Sequence, residues 1–450
     1  MKKREFLAMG GAVPLMLAGC GGDTGSAPVR LVNASVGYPL LGFMVDTTQA
    51  TTADVPYGSA SPFETVQAGS VTTALTVTSG TTVSSVSSTV RSLSKDSRYS
   101  LIAYGFQDEL KSVLLTESTV TPDTGKANIN VLNTSVDIGP VDVYVNLTAG
   151  TNLSLATQIA ANVGGVTTSA AFSLLPGSYF ITVVGANSIA EGRNDVRFSG
   201  TTAITVVDQE ILTIILTPGA SGTLANVIVL TQGTSTNATT PQNFTNNTAR
   251  VRAVTAVPTA STVSVAGVLG TTAAPEYTQY FVVTQTGTPV VANTIDPPVV
   301  TVNGAAVAIS GATTALAPGG DYTLIVYTDS TGANPVARLI LDDNTAPVST
   351  AGVKFRLLNL VYNNQALSLS MSVNSVSIAT GIPFATASAY TEVTTPQTTN
   401  SNAEVFSGAN LLTTHSQVMT AGNIFTEIVV SVDPTATPPV LDFFRSASGV

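Results

Sequence analysis

Along much of the chain, apolar and polar residues alternate one by one. Leu367, Leu369, Met371 and Val373 interleave with Ser368, Ser370, Ser372 and Asn374, and Val141, Val143 and Val145 interleave with Asp142, Tyr144 and Asn146. A period of two puts one set of side chains on one face of a sheet and the other set on the opposite face. The runs are short, and turn-forming pairs separate them: Ala68-Gly69, Pro176-Gly177, Pro218-Gly219 and Pro318-Gly319-Gly320. Short strands with regular turns predict an all-β chain of sandwiches or barrels. No segment after the amino-terminal leader has a helical period.

The pattern repeats. Four segments open alike, with Val29-Arg30-Leu31-Val32-Asn33, Ile129-Asn130-Val131-Leu132-Asn133, Ala249-Arg250-Val251-Arg252-Ala253 and Phe355-Arg356-Leu357-Leu358-Asn359, which aligns Asn33 with Asn133, Ala253 and Asn359. A later landmark is a polar turn running into an apolar strand. It reads Asp96-Ser97-Arg98-Tyr99-Ser100-Leu101, Asp208-Gln209-Glu210-Ile211-Leu212, Gly320-Asp321-Tyr322-Thr323-Leu324 and Gly422-Asn423-Ile424-Phe425-Thr426. Such periodicity predicts one small domain per repeat. The expected organisation is a leader at 1–19, a tether at 20–28, β-sandwich units at 29–118, 127–231, 249–344 and 352–450, and a Thr- and Asn-rich linker at 232–248. The third unit diverges most.

The leader has its own logic. Lys2, Lys3 and Arg4 precede an apolar stretch from Phe6 to Ala18, which ends in Leu17-Ala18-Gly19-Cys20. A basic start, a short apolar core and small residues at a cut site describe a secretory signal peptide. The stretch is shorter than the roughly 20 apolar residues a spanning helix needs. Leu17-Ala18-Gly19-Cys20 resembles the lipobox of bacterial lipoproteins. That resemblance implies cleavage before Cys20 and acylation of its thiol and new amino terminus, so Cys20 is the expected lipidation site. The alternative is an ordinary secretory signal in which Cys20 is incidental. Acyl chains add about 0.8 kcal/mol of membrane affinity per buried methylene. Gly21 after the cysteine implies, by the same resemblance, the outer membrane and not the inner one; the periplasmic and surface faces both stay open. Lys3-Arg4-Glu5-Phe6-Leu7 also resembles a degenerate twin-arginine signal lacking the arginine pair.

Composition narrows the function classes. Only 10% of the residues are charged while 44% are hydrophobic, a balance that argues for packed cores and against disorder. The net charge is −10, and the 17 lysines and arginines are scattered. Nucleic acid is bound through clustered basic residues, so it is not an expected partner. A single cysteine allows no internal disulfide.

The chain resembles the DUF4397 family of bacterial envelope proteins, a domain of uncharacterised function that often occurs in tandem. The resemblance is carried by Arg30-Leu31-Val32-Asn33-Ala34-Ser35, by Val55-Pro56-Tyr57-Gly58 with Ser61-Pro62-Phe63, by Val66-Gln67-Ala68-Gly69, by Tyr99-Ser100-Leu101-Ile102-Ala103-Tyr104-Gly105, and in the second unit by Val141-Asp142-Val143-Tyr144-Val145. It implies immunoglobulin-like β-sandwiches in four tandem copies, and it brings no catalytic residues.

Candidate chemistry is sparse. His415 is the one histidine, within Thr413-Thr414-His415-Ser416, and no G-x-S-x-G elbow accompanies it. Zinc sites normally combine several His or Cys ligands, which this chain lacks. Two carboxylates suffice for a glycosidase. The acidic candidates are Asp208 and Glu210 around Gln209, and Asp342-Asp343-Asn344 after a strand. Their loop oxygens suit calcium in principle, and solvated turn residues are the simpler reading. Asp329-Ser330-Thr331-Gly332 reads as a hairpin turn. Tyr57 and Phe63 either make contacts from a turn-rich segment or plug a sandwich end. Asn237 and Asn243 read as linker composition. No catalytic, cofactor or metal residue is therefore expected. The expected protein is a non-enzymatic, lipid-anchored envelope protein that meets the membrane through acyl chains on Cys20 and meets an envelope polymer or protein through its sandwiches. The alternatives are a subunit of a surface assembly and a carboxylate-dependent glycan-processing enzyme.

Overall fold

The structure is a computed structural model that describes residues 25–51, 53–107, 109–150, 153–187, 195–219, 222–232, 240–257, 261–265, 278, 280–285, 288–329, 334–349, 351–361, 364–394, 400–431 and 441–447. Residues 1–24, with the expected signal peptide and Cys20, and Asn237 lie outside them. The fold is all β, as the alternation predicts, with a 3-10 turn at Val136–Ile138.

Four units follow one plan, each with two facing sheets. In unit 1 the opening strand Ser26–Ala34 runs parallel to a late strand, Tyr99–Tyr104. The late strand pairs antiparallel with a return strand, Lys111–Thr116. The same trio recurs as Ala127–Asn133, Ile211–Pro218 and Ala225–Gln232 in unit 2. It recurs as Thr248–Ala256, Asp321–Thr328 and Pro335–Asp342 in unit 3, and as Gly352–Leu360, Ile424–Ser431 and Leu441–Ala447 in unit 4. The second sheets are antiparallel, built for example on Leu40–Val45, Gly69–Ser79 and Thr82–Leu93 in unit 1. Between the two sheets of each unit lies its own apolar core. Leu369, Met371 and Val373, one phase of the alternation, are almost wholly buried.

Two hydrogen-bonded brackets hold the opening strands in place. Asn33 donates from Nδ2 to the carbonyls of Tyr38 and Val55 and accepts the Ser35 N–H on Oδ1. Asn133 does the same with Gly139, Val163 and Ser135, and Asn359 with Leu367, Ile382 and Val361. A short polar side chain buried at the strand end thus ties the two sheets together, with all its partners supplied by backbone groups that would otherwise be unsatisfied. The second bracket is a hydroxyl that accepts an opening-strand N–H: Ser61 from Leu31, Ser169 from Val131, Thr278 from Ala253 and Ser388 from Leu357.

These brackets correct the alignment of the third unit. Arg30 pairs with Ser100, Asn130 with Thr213, Arg252 with Thr323 and Arg356 with Thr426. The equivalent of Asn33 is therefore Thr255, two residues beyond Ala253. The extra arginine, Arg250, disguises the register. Two boundaries also differ from expectation. The first strand begins at Ser26, inside the segment read as tether, with Ala27 already buried. The linker is partly built into the fold: Gln242–Phe244 extends a unit 2 sheet, and buried Asn246 donates to the carbonyls of Arg197 and Ala225.

Several opening and late strands are buried along their whole length, including Thr248–Ala256, Gly352–Leu360 and Ile211–Pro218. Strands covered on both faces lose the polar phase of the alternation. One face looks into the unit's own core. The other meets a neighbouring unit, with Val32, Ala34, Ile102 and Leu115 of unit 1 packed on Leu132, Ile215, Ile228 and Leu230 of unit 2. Units 3 and 4 repeat this, Val254, Ala256 and Ile325 against Leu358, Leu360, Ile428 and Val430. The four units therefore associate as two face-to-face pairs.

Candidate functional site

Each paired interface carries a cluster of buried polar side chains, and the repeat places them at equivalent positions. Four positions define the set: an arginine on the opening strand, an aromatic two residues after the bracket hydroxyl, a hydroxyl on the late strand, and an acid at the end of the return strand.

In unit 1 the set is Arg30, Phe63, Ser100 and Glu117. Arg30 is 1% exposed. Its Nε donates to Ser100 Oγ at 2.8 Å and its Nη2 to Glu117 Oε1 at 2.6 Å, while Ser100 Oγ donates to the same carboxylate oxygen. The guanidinium lies 4.6 Å from the centroid of Phe63, and Arg98 covers that ring at 4.9 Å. From this seat Arg30 reaches across and donates to the Thr231 carbonyl of unit 2 at 3.0 Å. Unit 2 answers with a neutral set: Asn130, Ala171, Thr213 and Gln232. Gln232 Nε2 donates to Thr213, and its Oε1 accepts the Ser118 N–H of unit 1. The arginine and the aromatic are absent together, as expected if each serves the other.

Units 3 and 4 meet over a richer cluster. Arg252 Nε donates to Thr323 and its Nη2 reaches Thr426 of unit 4; Arg356 Nε donates to Thr426 and its Nη2 reaches Thr323 of unit 3. The exchange is reciprocal, as in a two-fold interface where each face makes the other's contacts. Arg356 also donates to the Leu341 carbonyl, the counterpart of Arg30 to Thr231. Tyr280 covers Arg252 at 5.0 Å and Tyr390 covers Arg356 at 4.7 Å. Asp342 takes short bonds from Arg356 and Tyr280, accepts from Thr323, and lies 3.5 Å from Arg252. Burial alone would lower the proton affinity of Arg252, and Asp342 beside it outweighs this and raises it. Burial pushes the Tyr280 phenol well above its usual range, with Asp342 adding to the effect; burial also raises Tyr390. Arg252 Nη1 is buried without an acceptor among the described residues, so this cluster is rich in donors and poor in acid.

A third cluster joins the pairs to each other. Arg250 grips Asp321 through Nε and Nη2 at 2.8 and 2.9 Å, Asp321 also binds Thr223 of unit 2 and Asn344, and Arg197 pairs with Asp195 at 2.7 Å. Burial would raise the Asp321 carboxyl; Arg250 outweighs it and holds the group below the ordinary carboxylate range. Lys354 binds Asp343 and Thr345, and the Ala346 N–H donates to Asp137 of unit 2.

The sequence candidates fall out unevenly. Asp342 is 1% exposed and sits at the heart of the unit 3–4 interface, so the solvated-turn reading fails for it. Asp343 is the more exposed member. Asp208 and Glu210 accept backbone N–H groups from Gly125 and Val207, as turn residues do. Asp329, just after the strand Asp321–Thr328, accepts from Asn334, and the rest of that expected turn, Ser330, Thr331 and Gly332, lies outside the described residues. Tyr57 donates or accepts with Thr217 of unit 2 at 2.9 Å, which makes it an interface residue, and Phe63 is the platform for Arg30. Asn243 packs where a Cβ on Gly58 would stand, and Gly58 has a φ of +74°, so glycine is required there twice over. His415 lies in the strand Asn410–Val418, with Nδ1 4.0 Å from Glu427 Oε2. Among the described residues, no group of three or more His, Cys, Asp or Glu is placed to hold a metal ion. Sequence reasoning misses the arginines. Their signal is visible all the same: a lone Arg inside an otherwise apolar strand needs a buried partner.

No curated protein matches the chain. Among solved structures, it is similar to the Bacillus anthracis TIE protein at 11% identity, over 87% of this chain and 68% of that one, with a TM-score of 0.14. Residues 27–144 match the family described as "Domain of unknown function (DUF4397)". That segment spans unit 1 from the second residue of its opening strand, with Arg30, Phe63, Ser100 and Glu117, and runs into the first strands of unit 2. The chain carries a DUF4397 domain over residues 27–144.

Proposed function

We propose that this chain is a non-enzymatic, lipid-anchored envelope protein, held to the outer membrane through Cys20, whose four sandwiches are DUF4397-type modules for binding or spacing. The observation that carries the reading is where the ionisable groups go. Arg30, Glu117, Arg252, Asp342 and Arg356 are buried at junctions between units and consumed by one another. Catalytic acids and bases must instead reach a substrate in a cleft. The lipobox-like Leu17-Ala18-Gly19-Cys20 supplies the anchor.

Mass spectrometry of the mature amino terminus from membrane fractions tests the anchor, beside a Cys20→Ser variant. Acylated Cys20 in the wild type, with membrane association lost in the variant, is expected; an unmodified terminus on freely soluble protein overturns it. Turnover of a glycan or peptide bond by purified protein, abolished by replacing one carboxylate, overturns the non-enzymatic role. One feature favours a second reading, a subunit of a surface assembly. The strand Thr82–Leu93 is exposed over most of its length and forms the edge of its sheet. Open edges can add a strand from another chain. Protein that stays monomeric at high concentration, with no complex recovered by crosslinking of intact cells, excludes that reading.

A further inference from the structure

Exposed leucines are unevenly spread over units 1 and 2. Among the described residues of these units they are Leu40, Leu147, Leu155 and Leu175, and the last three lie at one end of unit 2. The opening strand of unit 2 begins at that end: Ala127 pairs with Leu174, and Leu175 follows. Gly177 pairs with Val206, which brings exposed Val207 beside the Leu175-Pro176 turn. Asn146 closes its strand against Phe180, near the same end, and Leu147 and Leu155 follow in the connection to Thr157–Val163. Leu155 is 88% exposed, Leu147 70% and Leu175 64%. Unit 1 brings its own starting end alongside, since Arg30 reaches the Thr231 carbonyl and the Ser118 N–H reaches Gln232. Single apolar residues scattered over a surface need no explanation, but a concentration at one end marks a contact.

The expected lipid attaches close to this same end. Ser26 opens unit 1 there, its carbonyl accepting the Asp96 N–H, and it stands six residues after Cys20. Six residues span at most about 20 Å, whatever course they take. We propose that this end of the unit 1–2 pair is a membrane-seating surface, on which Leu147, Leu155, Leu175 and Val207 rest at the boundary between headgroups and acyl chains of the bilayer that holds Cys20. The inference rests on the lipid anchor proposed above. Lys95 and Lys126 at this end are offset by Asp96, Asp123 and Asp208, so the contact is apolar and needs no anionic lipid. A few leucines do not hold a protein on a membrane by themselves, since even a single myristoyl chain binds only marginally. Their role is orientation: the acyl chains fix a point, and the apolar end fixes a direction. Unit 3 then points away from the bilayer, because its own starting end rests on the far end of unit 2, through Asp321 with Thr223 and the Ala346 N–H with Asp137. Unit 4, face to face with unit 3, is carried out with it.

The chain contains no tryptophan, so one introduced indole is an unambiguous probe. Leu175→Trp is compared with Leu40→Trp, whose exposed position pairs with Pro56 at the opposite end of unit 1. Each full chain is purified from membranes and reconstituted in phosphatidylcholine vesicles whose acyl chains carry bromine near the headgroup. The indole of Leu175→Trp is expected to shift its emission to the blue and to be quenched about twofold by the bromine, with Leu40→Trp unchanged. Adding Leu147→Asp and Leu155→Asp to Leu175→Trp is expected to remove most of that quenching while the protein still floats with the vesicles. All these positions are exposed, so the cores are left intact. Floating protein in which Leu175→Trp is quenched no more than Leu40→Trp overturns the seat and leaves the anchor standing. Protein that does not float overturns both. A blue shift without quenching means that protein covers these leucines, and it overturns the proposal. So does quenching that persists in full beside the two aspartates, because the indole would then be driving its own insertion.

Discussion

Units 1 and 2 meet over one guanidinium and one carboxylate, Arg30 and Glu117, whereas units 3 and 4 meet over two guanidiniums and a single carboxylate, Asp342. The sheets, the strand directions and the apolar contacts are otherwise alike. The difference shows how one surface can be tuned without changing its shape. In the balanced cluster each charge has its own partner. The acid-poor cluster depends on one carboxylate, and in both clusters each arginine also lies over an aromatic face, Arg30 over Phe63, Arg252 over Tyr280 and Arg356 over Tyr390.

The largest expected effect follows from that dependence. Asp342→Asn strands two buried guanidiniums at once and should destabilise the protein by about 5 kcal/mol, the upper end for a broken buried pair. Glu117→Gln in the balanced cluster should cost about 3 kcal/mol, since Arg30 keeps Ser100 and the Thr231 carbonyl. Chemical denaturation of the two variants checks the ranking; equal losses would remove the contrast. Next come the asparagine brackets. Asn33→Ala, Asn133→Ala and Asn359→Ala should each cost about 2 kcal/mol by leaving buried backbone groups unpaired, and Thr255→Ala in unit 3 should cost less. Phe63→Leu removes the platform under Arg30 and should cost about 1 kcal/mol in thermal melts.

The smallest difference at neutral pH is one that grows with alkali. Tyr57, Tyr280 and Tyr390 all have phenols raised by burial. A raised phenol favours the folded state fully below its unfolded value of about 10, and that stability is lost as pH rises toward the folded value. Two such phenols sit in the unit 3–4 interface and one at the unit 1–2 interface. Thiol labelling of Ala256→Cys in the unit 3–4 interface should therefore accelerate more steeply above about pH 10 than labelling of Ala34→Cys in the unit 1–2 interface, each in a Cys20→Ser chain. Equal acceleration would show that the tyrosines do not distinguish the pairs.

Much of this is legible from the pattern of residues, and the illegible remainder has a physical cause. Leu369, Met371 and Val373 announce a half-buried strand because the other face of that strand stays polar. The opening strands announce less. Val251, Arg252, Ala253 and Val254 are all buried, and a strand covered twice reads as an apolar run whose register nothing local fixes. That is why the sequence sets Ala253 against Asn33 when Thr255 is its structural counterpart. Asp342 looks like a turn residue because its neighbours Asp343 and Asn344 are polar, and only the pairing of the sheets reveals that it faces Arg356. Pair formation depends on contacts between residues over a hundred positions apart, such as Arg252 with Thr426, and no local period encodes them.

The strand order also determines how each unit meets mechanical load. Val29, in the first half of the opening strand, stands beside Tyr99, and Tyr99 pairs with Thr116 at the close of the return strand. Chain entry and chain exit therefore lie at the same end of the sheet. Tension applied through the two termini peels the return strand away from that end, so its hydrogen bonds break in succession and never share the load. A sandwich pulled this way opens like a zipper at modest force, whereas strands pulled in opposite directions along their length must slide and break all their bonds together. Stretching single molecules from the two termini would read this as a low, sawtooth-like resistance, with the face-to-face pairs adding the first and highest peak.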